Sequence, residues 1–128
     1  MTREEFAAYI DDHYGIKYDC PFEDELDAWV FRHPDNKKWF ALVMNIPKKR
    51  IIPDADGYVD VVNLKCAPEI MDDLWQENGV FPAYHMNKKH WLTLSLDATC
   101  SEETLKWVTN ISFELTRKKI RRKKEIQD

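Results

Sequence analysis

The residues of this chain best suited to hold a ligand are Asn36-Lys37-Lys38-Trp39 and Asn87-Lys88-Lys89-His90-Trp91. Each stretch joins an amide, two ammonium groups and an indole at what reads as a turn leading into a strand. Lysines at such a tip can reach phosphates while Asn36, Asn87, His85 or His90 meets a base edge and the ring packs at a groove or stacks on a base. The structural alternative is that the lysines keep a hairpin tip soluble and that Trp39 and Trp91 anchor the core. On that alternative Trp91 is expected under the closing helix, beside Leu105 or Val108. A denser cationic stretch follows near the C-terminus. Arg117-Lys118-Lys119-Ile120-Arg121-Arg122-Lys123-Lys124 carries seven cations in eight positions. That is enough to neutralise several phosphates, or it is a solvated helix end whose cations suit a helix C-terminus.

Other chemistries find little support. His85, His90 and Cys100 do not form a convergent zinc set, so no metal is expected. Cys20, Cys66 and Cys100 are an odd number at wide spacings, which reads as reduced thiols rather than a disulfide framework. Gly15, Gly57 and Gly79 are isolated, so neither a phosphate-cradling loop nor a dinucleotide fingerprint can be built, and no cofactor is expected. No Gly-x-Ser-x-Gly elbow is present. Five acids between Asp19 and Asp27 read as a solvated loop, or as an acidic surface for a partner.

The elements that must position these groups fit in one domain, since the chain has 128 residues. The longest apolar run, Trp39 to Met44, is far below the ~20 residues of a membrane helix. The polar, acidic N-terminus argues against a signal peptide, and a soluble cytoplasmic protein is expected. Net charge is −4, but residues 117–128 are strongly basic. The acidic balance therefore lies in residues 1–116, unlike the uniform basicity of many nucleic-acid binders.

Thr2 and Glu5 have capping-box spacing, and Phe6, Tyr9, Ile10, His13 and Tyr14 make a helical stripe that Gly15 ends. Strands are expected at 29–32 and 38–46, joined by the turn His33-Pro34-Asp35-Asn36-Lys37, and a third at 58–65. Pro68 opens a short helix with Ile70, Met71, Leu74 and Trp75 inward, and Asn78-Gly79 stops it. Residues 81–86 are a candidate edge strand broken by Pro82, and 91–96 alternate as a half-buried strand. The last helix starts near Ser101, with Leu105, Val108, Ile111 and Leu115 inward. The expectation is an α+β fold, a two-layer α/β arrangement with a mostly antiparallel sheet. Its order is α-β-β-β-α-β-β-α, and three helices cover one apolar face.

Pro82-Ala83-Tyr84-His85-Met86-Asn87-Lys88-Lys89-His90-Trp91, with the following strand and Asp97, resembles the MmcQ/YjbR family of small bacterial proteins. Tyr18 through Pro21-Phe22 to Val30-Phe31-Arg32 is similar to the family's entry into its first strand. Lys38 to Leu42, Asn63-Leu64-Lys65-Cys66 with Pro68-Glu69, and Ser112-Phe113-Glu114-Leu115 match further stretches. The resemblance implies a compact fold related in shape to secretion chaperones and described as a double-wing DNA-binding fold. It makes residues 1–116 the domain and leaves 117–128 as a basic helical extension or tail. It departs at Ala67, where a small polar cap is expected before Pro68.

The function these readings favour is non-enzymatic DNA binding. Lys37, Lys38, Lys88 and Lys89 would contact phosphates, with Asn87, His85 and His90 near base edges. Arg117, Lys118, Arg121 and Arg122 would add affinity. The alternative is a protein-interaction module with a protein partner, and an enzyme is the weakest reading. One geometric question separates the first two: whether both tips share one side of the sheet.

Overall fold

A computed structural model describes residues 1–22 and 27–119. Glu23, Asp24, Glu25 and Leu26 of the acidic loop and the cations Arg121, Arg122, Lys123 and Lys124 lie outside the described residues.

The first helix, α1 (Arg3–Tyr14), begins where the sequence places it. Thr2 Oγ1 accepts from the Glu5 N–H at 3.0 Å, and Glu5 Oε1 accepts from the Thr2 N–H at 2.8 Å. Gly15, at φ 69°, ends it in the left-handed region. The strands are β1 (Ala28–Arg32), β2 (Trp39–Pro47), β3 (Tyr58–Lys65), β4 (Val80–Pro82) and β5 (Trp91–Ser95). The remaining helices are α2 (Pro68–Leu74) and α3 (Glu102–Thr116). The sheet order is β1-β2-β3-β5-β4, and every pairing is antiparallel. The expected α+β class and element order hold. The expected edge strand at 81–86 shortens to Val80–Pro82, because Pro82 has no N–H to carry the ladder on.

Both faces of the sheet are buried, not one. The helical face holds Phe31, Val43, Val62, Leu64, Leu92 and Leu94 against Phe6 and Ile10 of α1, Met71 and Leu74 of α2, and Leu105 and Val108 of α3. The other face carries Ala28, Val30, Leu42, Met44, Val59 and Val61, with Ile51, Tyr84 and Met86 from the connecting loops packed on it. The unbroken apolar run from Trp39 to Met44 is the sequence mark of a strand covered on both sides.

Trp91 is half-buried and lies on the loop-covered face, since the pleat gives the helical face to Leu92 and Leu94. The expectation that it packs under α3 is corrected. The α3 stripe is also rotated: Leu105 and Val108 are buried, Leu115 is 40% exposed, and Thr104, Thr109, Ser112 and Thr116 take inner positions. The hydroxyls can go inside because they are satisfied there. Thr109 donates to the Leu105 carbonyl and Thr116 to the Ser112 carbonyl, which leaves their methyl groups to pack.

Ser112 has a further role. Phe40 is an extra residue in the β1–β2 ladder, because Phe31 pairs with Ala41 and Arg32 with Trp39. The β2–β3 ladder ends at Ala41–Leu64. Just beyond it, Ser112 Oγ donates to the Phe40 carbonyl at 2.5 Å and accepts from the Lys65 N–H at 2.9 Å. One helix hydroxyl thus satisfies both backbone groups where the strands part.

At the other end of the domain Arg3 ties α1 to the sheet. It is 5% exposed, its guanidinium reaches Asp60 at 3.0 Å and Asp27 at 3.2 Å, and it lies 4.7 Å from the Trp29 ring centroid. Burial alone would raise the Asp60 carboxyl, but Arg3 and the Asn45 amide hold it below its ordinary value.

Candidate nucleic-acid interface

The pairing register answers the geometric question. Arg32 pairs with Trp39, Leu64 with Ala41 and Leu92, and Lys65 with Trp91. The 33–38 turn and the 83–90 turn therefore leave the sheet at the same end, where β3 also exits at Lys65. Three strand spacings separate the midline of the β1–β2 pair from that of the β5–β4 pair, about 14 Å.

The two Asn-Lys-Lys stretches fold alike. Asn36 Oδ1 accepts from the Lys38 N–H and Asn87 Oδ1 from the Lys89 N–H, both at 2.8 Å. Each asparagine closes an Asx turn, which is its structural reason for being there. Lys37, Lys38, Lys88 and Lys89 are exposed, and none has an ion-pair partner among the described residues. His85, Asn87 and His90 are exposed as well. Asn36 differs. It is half-buried and its amide donates to the Thr116 carbonyl at 2.9 Å, so it is committed to the fold and unavailable to a base.

That bond brings the end of α3 to the first tip. The helix stops at Thr116, and Arg117 is extended at φ −67° and ψ 156°. Arg117, Lys118 and Lys119 are exposed and emerge beside the 33–38 turn, with Arg117 held to Glu114 at 3.0 Å. The four tip lysines and the first cations after α3 thus share one end of the sheet. The opposite end carries Asp54, Asp56, Asp97 and the first-turn acids Glu102 and Glu103 of α3, with Lys48–Arg50 among them.

His33 reads in the sequence as a turn residue only, and in the fold it is the pin of this region. It is 4% exposed, its Nε2 lies 2.9 Å from Thr116 Oγ1, and its ring sits 4.5 Å from that of Phe113. Burial holds its imidazole below the ordinary histidine range. Beside it opens a cavity of about 440 Å³ lined by Tyr14, Gly15, Ile16, His33, Pro34, Asp35, Phe113, Arg117 and Lys118. Nothing in the spacing of these residues announces it, because it forms only where α1, the first tip and α3 meet.

The two buried thiols are poor nucleophiles. Cys66 and Cys100 are buried, and burial pushes both up to about 11. Among the described residues no three His, Cys, Asp or Glu side chains gather to hold a metal, and no helix is long and apolar enough to cross a membrane.

Comparison with known proteins fits this architecture. The chain is 37% identical over 117 residues to the uncharacterized protein YyaQ of Bacillus subtilis, covering 91% of this chain and 99% of that one. A crystal structure of a Pseudomonas syringae protein superposes with a TM-score of 0.86 at 43% identity, covering 91% of this chain and 100% of that one. The Deinococcus radiodurans protein DR2400, described as a DUF419 domain, superposes with a TM-score of 0.68 at 26% identity, over 98% and 86% of the two chains. The YjbR family model matches residues 3–115, from the buried Arg3 at the start of α1 to the last turn of α3, and by that span this chain belongs to the YjbR family.

Proposed function

We propose that this protein is a non-enzymatic, cytoplasmic DNA-binding protein that holds phosphates at the basic end of its sheet. The observation that carries this reading is the placement of both Asn-Lys-Lys tips at one end, with the cationic stretch that follows α3 beginning beside the first tip. Four lysines without ion pairs among the described residues, on two tips whose strand pairs are centred about 14 Å apart, can share one polyanion. An overall charge of −4 is no obstacle when the cations are concentrated at one end, because steering depends on the local field. Lys37, Lys38, Lys88, Lys89, Arg117 and Lys118 carry affinity. His85, Asn87 and His90 lie at the second tip, where a base edge would be met.

The test neutralises the tips in pairs. Lys37→Gln with Lys38→Gln, Lys88→Gln with Lys89→Gln, and all four together are titrated by fluorescence anisotropy against random-sequence DNA at several salt concentrations. Each phosphate that a variant no longer neutralises flattens the slope of log K against log salt by about 0.7–0.9. The effects of the two pairs add, since separate phosphates are touched. Parent-like binding by both pair variants removes the interface.

A protein-interaction module is the second reading, and one observation favours it. Trp107, Ile111 and Leu115 form a stripe along the outer side of α3, with Trp107 50% exposed and Leu115 40%.

A further inference from the structure

We infer that the cavity between the 33–38 turn and the end of α3 receives an unpaired nucleobase, so that the nucleic acid this protein prefers is a single strand. The inference rests on the phosphate-binding reading above and specifies the form of its ligand. Its volume, about 440 Å³, is at the small end of natural ligand sites and suits one base with its sugar. Its walls are mostly apolar and ringed: Tyr14 and Phe113 stack on each other at 4.2 Å and 25°, with Ile16 and Pro34 beside them. Its mouth carries two cations on the α3 side, Lys118 and Arg117, the latter also bound to Glu114. An aromatic pocket opening on ammonium and guanidinium groups matches a flat ring attached to a phosphate.

The polar groups at the rim fit a base as well. One Asp35 carboxylate oxygen accepts from the Asn36 N–H at 2.6 Å, and the other remains to accept from a base amine. His33 stays bound to Thr116, so the floor is fixed before any ligand arrives. A duplex cannot use this site, because its base faces are covered by their neighbours. A single strand presents them, and every base has a face to offer. The first tip lies next to the cavity, so a strand with one base inserted would run its backbone past Lys37 and Lys38.

The test compares a short labelled single strand with the duplex of the same sequence at equal salt, using the full chain. The parent is expected to bind the single strand about tenfold more tightly, the scale of one stacked base. Tyr14→Leu should remove most of that advantage and leave duplex affinity unchanged, while Lys118→Gln should weaken both forms alike. A thermal melt checks that Tyr14→Leu folds. If it does not, amide shifts of the parent decide, with the single strand expected to move Tyr14, Gly15, His33, Asp35 and Phe113. Equal affinity for the two forms, or shifts confined to the lysine turns, overturns the cavity and leaves phosphate binding standing. Binding of deoxycytidine monophosphate without binding of the strand overturns it in favour of a free nucleotide. Absence of binding to either nucleic acid defeats both readings together.

Discussion

Ser112→Ala removes one buried oxygen, and the structure says what that costs. The hydroxyl is fully buried, donates to the Phe40 carbonyl and accepts from the Lys65 N–H. Alanine leaves two backbone groups without partners at the point where β2 and β3 separate. Each orphan costs about 1–3 kcal/mol, and the change in volume is too small to add much. The expected destabilisation is about 3 kcal/mol, a drop of roughly 1–2 M in the urea midpoint with the slope unchanged. Ser101→Ala is the control: Ser101 is an exposed cap that accepts from the Thr104 N–H at 3.1 Å, and removing it should cost about 1 kcal/mol. Equilibrium urea unfolding followed by tryptophan fluorescence measures both. A Ser112→Ala effect below about 1 kcal/mol would refute the reasoning, because the strands would then be able to close on each other or admit water without the helix hydroxyl.

Three further outcomes are expected. Gly15→Ala and Gly79→Ala both place a side chain at positive φ, but only at Gly79 would the new Cβ meet backbone, 2.6 Å from the Cys100 nitrogen. Gly15→Ala should cost about 1 kcal/mol and Gly79→Ala clearly more, read from thermal melts. The buried His33 binds its proton less readily folded than unfolded, so its contribution is whole above the ordinary histidine range and is lost as pH falls below about 6.5 toward the lowered folded value. His33→Gln should flatten that stretch of the stability–pH curve. Lys37 sits at φ 64°, so Lys37→Gly should raise stability by about 0.5–1 kcal/mol while weakening DNA binding in the anisotropy assay.

Local signals in the sequence locate the elements well. The Thr2–Glu5 box, the Gly15 stop and the limits of β3 follow from side chains acting on their own backbone. The two tips are legible for the same reason, since an asparagine closing an Asx turn works within three residues. What fails depends on distant partners. Leu115 reads as inward by spacing, but Ser112 and Thr116 displace it because their hydroxyls find backbone acceptors. Trp75 reads as part of the α2 stripe, but the helix ends at Leu74 and leaves the ring 39% exposed. Trp91 reads as a core anchor from its size, while the leucines beside it decide which face meets α3. The cavity is invisible in the sequence because Tyr14, His33 and Phe113 are far apart in the chain and meet only in the fold.

The repeated Asn-Lys-Lys pattern has one residue that folding explains and two that it does not. Both asparagines close the same turn, so their recurrence needs no ligand. The lysines make no ion pair among the described residues, and a turn of this kind would accept serine or threonine in their place. Lys37 goes further and works against the fold. It occupies the left-handed region, where a glycine or asparagine would be easier to hold, and the strain of a lysine there is retained. Solubility alone asks for a polar side chain at a tip, not for a strained one. His85 takes the same region at the second turn, at φ 62°, which histidine adopts more readily than lysine. Asp54 and Ala98 take the left-handed region at the opposite end of the sheet, so positive φ alone does not mark the tips; what marks Lys37 is that the side chain held there is an exposed cation with no ion pair among the described residues. The tips are therefore where the phosphate-binding reading is most exposed to test. A Lys37→Gly variant that folds better and binds as well would show that the strain serves nothing.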